Sequence, residues 1–143
     1  MNQTINEPRN TPERKLYVRL KNALIRGRVG IDIERLEVTS MSGVPDVNVC
    51  FNGVETWIEL KIITQGQVLL RPFQYAWGMR RASCGGRSYV VASPTDQLGI
   101  VFLWKFPIPE VIFDSKYVRL SKVDKVYYKP ETKTLVAELL GLS

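Results

Sequence analysis

Apolar and polar positions in this chain follow two different periods, and the changes of period mark out its elements. Thr11-Pro12-Glu13 opens a helix, with Thr11 as N-cap and Pro12 at the first helical position. Leu16, Leu20, Ala23 and Leu24 then recur at helical spacing until Gly27 can stop it. Residues 1–12 show no periodicity and read as a frayed arm. Between Ile31 and Val38 the pattern turns strand-like, and a change of parity predicts a bulge near Glu34-Arg35. Val47–Phe51 and Val54–Ile63 alternate with period two around Asn52-Gly53, a strong signal for a tight hairpin.

Beyond the hairpin, Thr64 to Val68 is a polar connection. Pro72 to Ser83 reads as a helix with Phe73, Ala76 and Trp77 inward, ended by Gly85-Gly86. Arg87–Ala92 and Gly99–Phe106 read as apolar strands. Val123–Tyr128 and Thr134–Leu140 flank Pro130-Glu131-Thr132 as a final hairpin, although the last segment also suits a helix. The order predicts an α/β or α+β domain, a central mixed β-sheet flanked by helices. One domain spans 13–143, with a core over 13–92 and C-terminal strands of the same domain over 93–143.

Composition narrows this picture. A chain of 143 residues, 45% hydrophobic and 24% charged, suits one globular domain. No apolar run approaches the roughly 18 residues of a membrane span, and Met1–Arg14 lacks the apolar segment of a secretory signal. A cytoplasmic location is expected. Cys50 and Cys84 are too few for a disulfide framework or a four-cysteine zinc site, so free thiols are expected.

The chain has no histidine, which excludes histidine-based nuclease chemistry, histidine triads and the common zinc hydrolase sites. Any acid, base or metal ligand must come from Asp, Glu, Lys, Tyr or water. The formal charge of +6 and a pI near 9.5 favour a polyanionic partner, nucleic acid above all.

The hairpin places the chemistry. With Asn52-Gly53 as a two-residue turn, Phe51 meets Val54, Cys50 meets Glu55, Asn48 meets Trp57 and Asp46 meets Glu59. Alternation puts Val47, Val49, Phe51, Val54, Ile58, Leu60 and Ile62 on a core face. Asp46, Glu59 and Lys61 share the other. Opposed residues have Cβ atoms about 4.5–5.5 Å apart, where two carboxylates repel unless one is protonated or a cation sits between them. Lys61 gives partial relief; a divalent ion such as Mg²⁺ is the stronger explanation, and it can polarise a phosphodiester and activate water.

Gly43-Val44-Pro45-Asp46, a hairpin, then Ile58-Glu59-Leu60-Lys61 resembles the PD-(D/E)XK nuclease signature. Leu70-Arg71-Pro72-Phe73-Gln74, Trp77 and Gly85-Gly86 further resemble its VRR-NUC branch, which is similar to Holliday-junction resolvases and often phage-encoded. The resemblance runs from about Glu13 to Val91. It implies a restriction-endonuclease-like fold, a Mg²⁺- or Mn²⁺-dependent deoxyribonuclease, and branched DNA as substrate, with a homodimer to match a two-fold junction.

By motif, Asp46 and Glu59 would be metal ligands with the Leu60 carbonyl as a third, and Lys61 would be the catalytic lysine. Gln74 would approach from its helix. Glu13 is the expected extra acidic ligand, with Glu34 and Glu37 as competitors. Lys15, Arg19, Arg71, Arg80, Arg81 and Arg87 would follow the phosphate backbone. Tyr75 and Trp77 are candidates to stack on bases, with the core as the plainer place for Trp77. Rival readings are a homing or restriction-type enzyme and a non-catalytic DNA-binding protein, both on the same fold.

Overall fold

The computed structural model describes residues 11–36, 42–94 and 99–142. Helix α1 (Pro12–Ile25) buries the four residues its periodicity singles out, Leu16, Leu20, Ala23 and Leu24. Thr11 caps it, its hydroxyl accepting from the Arg14 N–H at 3.2 Å. Gly27, at φ +69°, turns the chain out of the helix.

Strand β1 (Ile31–Arg35) pairs antiparallel with β2 (Val47–Phe51), and β2 pairs antiparallel with β3 (Val54–Ile63). Asn52 and Gly53 both have positive φ, 52° and 73°, as a hairpin turn that follows the strand twist requires. The β2–β3 register is the one read from the turn, from Phe51 with Val54 to Val47 with Ile58.

The expected bulge near Glu34-Arg35 is absent: β1 runs in unbroken register from Ile31–Phe51 to Arg35–Val47. The parity change marks the end of the strand instead, where the Leu36 N–H reaches the Asp46 carbonyl at 2.6 Å. Val38 and Glu37 lie outside the described residues.

From β3 the chain passes through β4 (Leu69–Leu70) and helix α2 (Pro72–Ser83) and returns as β5 (Arg87–Pro94), parallel to β3. A parallel return needs such a crossover. Strand β6 (Ile100–Lys105) follows antiparallel to β5, and β7 (Val111–Phe113) and β8 (Val118–Leu120) join β4 in a small second sheet. Strand β9 (Lys125–Tyr128) completes the main sheet, in the order β1-β2-β3-β5-β6-β9.

The expected C-terminal hairpin does not form. Its last segment is helix α3 (Lys133–Leu140), so the C-terminal third is not made of strands alone. Leu135, Val136, Leu139 and Leu140 bury one helical stripe, and Gly141 ends the helix in the left-handed conformation at φ +75°. Helix α2 also differs in one detail: Trp77 is buried as expected, but Phe73 is 48% exposed.

Two cores lie on opposite faces of the main sheet. Helices α1 and α3 cover Val47, Val49, Ile58, Leu60, Tyr89 and Val91. The other face carries Val90, Ala92 and Trp104, packed with Val68, Leu70, Phe106, Val118 and Leu120 and flanked by α2. The unbroken apolar run Tyr89–Ala92 reflects a strand buried on both sides. Gly78 lets α2 approach closely, since a Cβ there would lie 2.3 Å from the Phe106 ring. Among the described residues no helix is long and apolar enough to cross a membrane.

Candidate active site

The chain enters β2 through Gly43-Val44-Pro45-Asp46. Gly43 has φ +75° and lies against the first turn of α2, where a Cβ would meet the Phe73 carbonyl oxygen at 2.3 Å. Only glycine satisfies both the backbone and the space. This contact holds the Asp46 loop against α2.

Asp46 and Glu59 are not a rung of the ladder, which ends at Val47–Ile58. They meet through side chains. The Leu60 N–H points past the end of the ladder, and Asp46 Oδ2 accepts it at 3.0 Å. In an extended strand a residue's N–H and C=O face the same neighbour, so the Leu60 carbonyl points toward Asp46 as well.

Glu59 is 4% exposed. Its Oε2 accepts from Gln74 Nε2 at 2.9 Å and lies 3.4 Å from Lys61 Nζ. Its Oε1 is buried with no hydrogen-bond partner. Burial, then the charge of Asp46, pushes its carboxyl up to about 8, against the pull of Lys61. Asp46 is raised too, by burial, with the Leu60 N–H and Lys61 opposing. At neutral pH and without a cation, Glu59 is therefore mostly protonated. Its contact with Lys61 is then a charge–dipole contact rather than a closed ion pair.

Gln74 is fixed at both ends. Its Oε1 accepts the Arg71 N–H at 2.9 Å, closing the first turn of α2, and this aims Nε2 at Glu59.

Glu13 lies on the edge of this site. Arg35 holds its carboxylate at 3.4 Å, and its charge is the weakest of those acting on Glu59. Among the described residues no three Asp, Glu, Cys or His side chains are grouped closely enough to hold a metal. Glu34 is exposed on β1, and Glu37 lies outside the described residues. The oxygens brought together are those of Asp46, Glu59 and Leu60, all hard donors that fit Mg²⁺ or Mn²⁺. The orphaned Glu59 Oε1 is the atom such an ion would satisfy.

The six expected phosphate contacts divide between two sides of the molecule. Arg71, the N-cap of α2, is exposed, as are Arg80 and Arg81 in the last turn of this helix that carries Gln74. Lys15 and Arg19 are on α1, across the sheet, and Arg19 is held bidentate by Glu131 at 2.7 and 3.1 Å. Arg87 also faces that side. It donates to Thr56 Oγ1 at 3.0 Å and to the Glu138 carbonyl, and stacks on Tyr89. Arg19 and Arg87 are therefore cross-braces within the fold.

Trp57 was not singled out by sequence, although the hairpin parity puts it on the Glu59 face. It meets Trp77 edge-on at 5.4 Å, and Arg81 lies over both rings. Tyr75 is tied down by its hydroxyl, which donates to the Ile108 carbonyl at 2.7 Å.

No protein-family model and no curated protein sequence matches this chain. Among solved structures it is similar to the 1.6 Å structure of Archaeoglobus fulgidus Hjc, a Holliday junction resolvase from an archaeal hyperthermophile. The TM-score is 0.52 at 17% identity, over 77% of this chain and 85% of that one. At that identity the likeness speaks for architecture: the chain has a restriction-endonuclease-like fold, shared with a Holliday junction resolvase.

Proposed function

We propose that this chain is a metal-dependent endonuclease that hydrolyses phosphodiester bonds in DNA, with branched DNA such as four-way junctions as its substrate. The observation that carries the reading is Glu59: a buried carboxyl with one unpartnered oxygen, forced beside Asp46, with a lysine and a glutamine aimed at it. Ionising both carboxyls there is opposed by burial and mutual repulsion, and a divalent cation between them relieves both. The loop Gly43–Asp46 and the Glu59-Leu60-Lys61 stretch also fit the PD-(D/E)XK pattern, and Gln74 on α2 fits its VRR-NUC branch.

In this reading Asp46, Glu59 and the Leu60 carbonyl hold a Mg²⁺ or Mn²⁺ ion. When bound, such an ion polarises the phosphodiester and lowers the pKa of water. Gln74 holds the Glu59 carboxylate in one rotamer, and the Leu60 N–H does the same for Asp46. Lys61 places a positive charge and a proton donor beside the reacting phosphate, where it orients the attacking water and offsets the charge that develops. Arg71, Arg80 and Arg81 hold the phosphate backbone on the α2 side. A homodimer would present two equivalent sites to a two-fold junction.

The test uses end-labelled linear duplex, single strand, flap and four-way junction, each with Mg²⁺, Mn²⁺ or EDTA, beside a Lys61→Ala control. Metal-dependent cleavage that the control loses, strongest on the junction, is the expected result. Cleavage at one site in plain duplex would favour a restriction-type enzyme. Tight binding with no cleavage would favour a non-catalytic DNA-binding protein, and cleavage in EDTA would overturn the metal-dependent site.

A further inference from the structure

Beside the Asp46–Glu59 centre lies an aromatic and cationic cluster of which the hydrolytic reading uses only the charge of Arg81. Trp57 sits two residues before Glu59 on the same face of β3, about 7 Å away along the strand. Trp77 lies three residues, and Arg81 seven residues, beyond Gln74 on α2, which places Arg81 about 10 Å along the helix axis. At a rise of about 3.4 Å per nucleotide step, both distances correspond to two or three steps from the reacting phosphate.

The cluster is built rather than incidental. The Arg81 guanidinium is 4.4 Å from the Trp77 ring centroid and 5.8 Å from that of Trp57. Gly86 makes room for it, since a Cβ there would lie 2.6 Å from Arg81 Cδ. Arg81 is nevertheless exposed, and among the described residues neither it nor Arg80 has an acidic partner within salt-bridge distance. A groove of about 360 Å³ runs along Trp77, Arg80, Arg81 and Cys84, at the small end of the range for ligand sites. In the sheet, Trp57 is flanked by Asn48 and Ser88, whose Nδ2 and Oγ are buried without partners.

A pure core function would leave an arginine like this one paired with an acid, as Arg19 is with Glu131. A pure phosphate contact would need no planar stack. A flat guanidinium held on indole rings, with free cations beside it, matches an unpaired base with its phosphate.

We infer that Trp57, Trp77 and Arg81 form a stacking platform for an unpaired nucleotide two or three steps from the scissile phosphate. The inference rests on the nuclease reading and sharpens it: the substrate class is DNA with an unpaired nucleotide at a branch or flap, and continuous duplex is disfavoured. The base stacks on the outer face of Arg81, and Arg80 meets its phosphate.

The test measures binding in EDTA, so that cleavage plays no part. Two DNAs of equal length carry 2-aminopurine, one at an unpaired nucleotide within a flap and one within continuous duplex. The wild-type protein is expected to bind the flap about tenfold or more tightly and to quench its fluorophore. Arg81→Lys keeps the charge and loses the plane; it is expected to weaken flap binding about tenfold, abolish quenching and leave duplex within twofold. Trp57→Phe, which keeps an aromatic surface, is expected to retain most of the preference. Equal losses on both DNAs, or an unchanged preference in Arg81→Lys, would overturn the platform while leaving the nuclease reading intact. Failure to bind either DNA both in EDTA and with Ca²⁺ in place of Mg²⁺ would overturn both.

Discussion

The two faces of the main sheet are made from the same strands and treat polar groups in opposite ways. On the α1/α3 face they are answered: Thr56 accepts from Arg87, the Tyr89 hydroxyl donates to Glu138 at 2.6 Å, and Arg19 is clamped by Glu131. Burial and Glu138 accordingly push the Tyr89 hydroxyl up, so it stays protonated. On the α2 face lie all four buried side-chain atoms that lack a partner among the described residues: Asn48 Nδ2, Glu59 Oε1, Ser88 Oγ and Trp104 Nε1. An unsatisfied buried polar atom costs about 1–3 kcal/mol. The first face is organised for stability. The second keeps a cost that a ligand can recover.

The sharpest way to break this contrast is to substitute neighbouring residues of β3 that point to opposite faces. Lys61→Ala should lower metal-dependent cleavage by about 10²–10⁴-fold and leave the melting temperature nearly unchanged. Leu60→Ala, fully buried under α1 and α3, should cost about 2–5 kcal/mol in chemical denaturation. A Lys61→Ala protein as unstable as Leu60→Ala would dissolve the distinction.

The pH dependence of stability comes next in size. Glu59 is raised in the folded protein, to about 8, above its ordinary value of 4.5, so the folded state holds a proton that the unfolded state has released. Stability of the metal-free protein is therefore greatest below about pH 4.5 as far as this group is concerned. It falls as pH rises toward 8, by at most about 1.4 kcal/mol per pH unit. Denaturation in EDTA at pH 6 and 8 measures the slope, and Glu59→Gln should flatten it. An unchanged slope would remove Glu59 as its source.

Two arginines give the smallest and most specific contrast. Arg19→Ala should cost about 1 kcal/mol or less of stability, because its ion pair is partly exposed, and should leave DNA affinity alone. Arg80→Ala should do the reverse, weakening DNA binding and reducing its salt slope by about 1. Equal effects of the two on the salt dependence would show that DNA reaches both faces.

The same division decides what the sequence could reveal. The hairpin was legible because period-two alternation and Asn52-Gly53 fix register without knowledge of anything distant. That placed Asp46, Glu59 and Lys61 on one face, although the carboxylates meet past the end of the ladder rather than within it. The cap at Thr11 and the stop at Gly27 are local too.

What stayed hidden depends on partners far away in the chain. Arg19 looks like a phosphate contact until Glu131, 112 residues later, is folded against it. Arg87 is likewise claimed by Glu138, 51 residues on. Strands β4, β7 and β8 span two or three residues each, too few to show a period. Residues 134–140 are apolar enough for either a strand or a helix, and packing on the sheet selects the helix. The motif resemblance singled out Gln74, but its aim follows from the Arg71 N–H that anchors it.

The central claim is that the Asp46–Glu59 pair is a cation site, and calorimetric titration of Mn²⁺ at pH 6.5, 7.5 and 8.5 tests it most directly. Binding should tighten with pH, by up to about tenfold per unit below pH 8. It should release close to one proton at pH 6.5 and much less at pH 8.5, where Glu59 is already largely ionised. Asp46→Asn should weaken it severely. No binding, or an affinity independent of pH and of Asp46, would contradict the account.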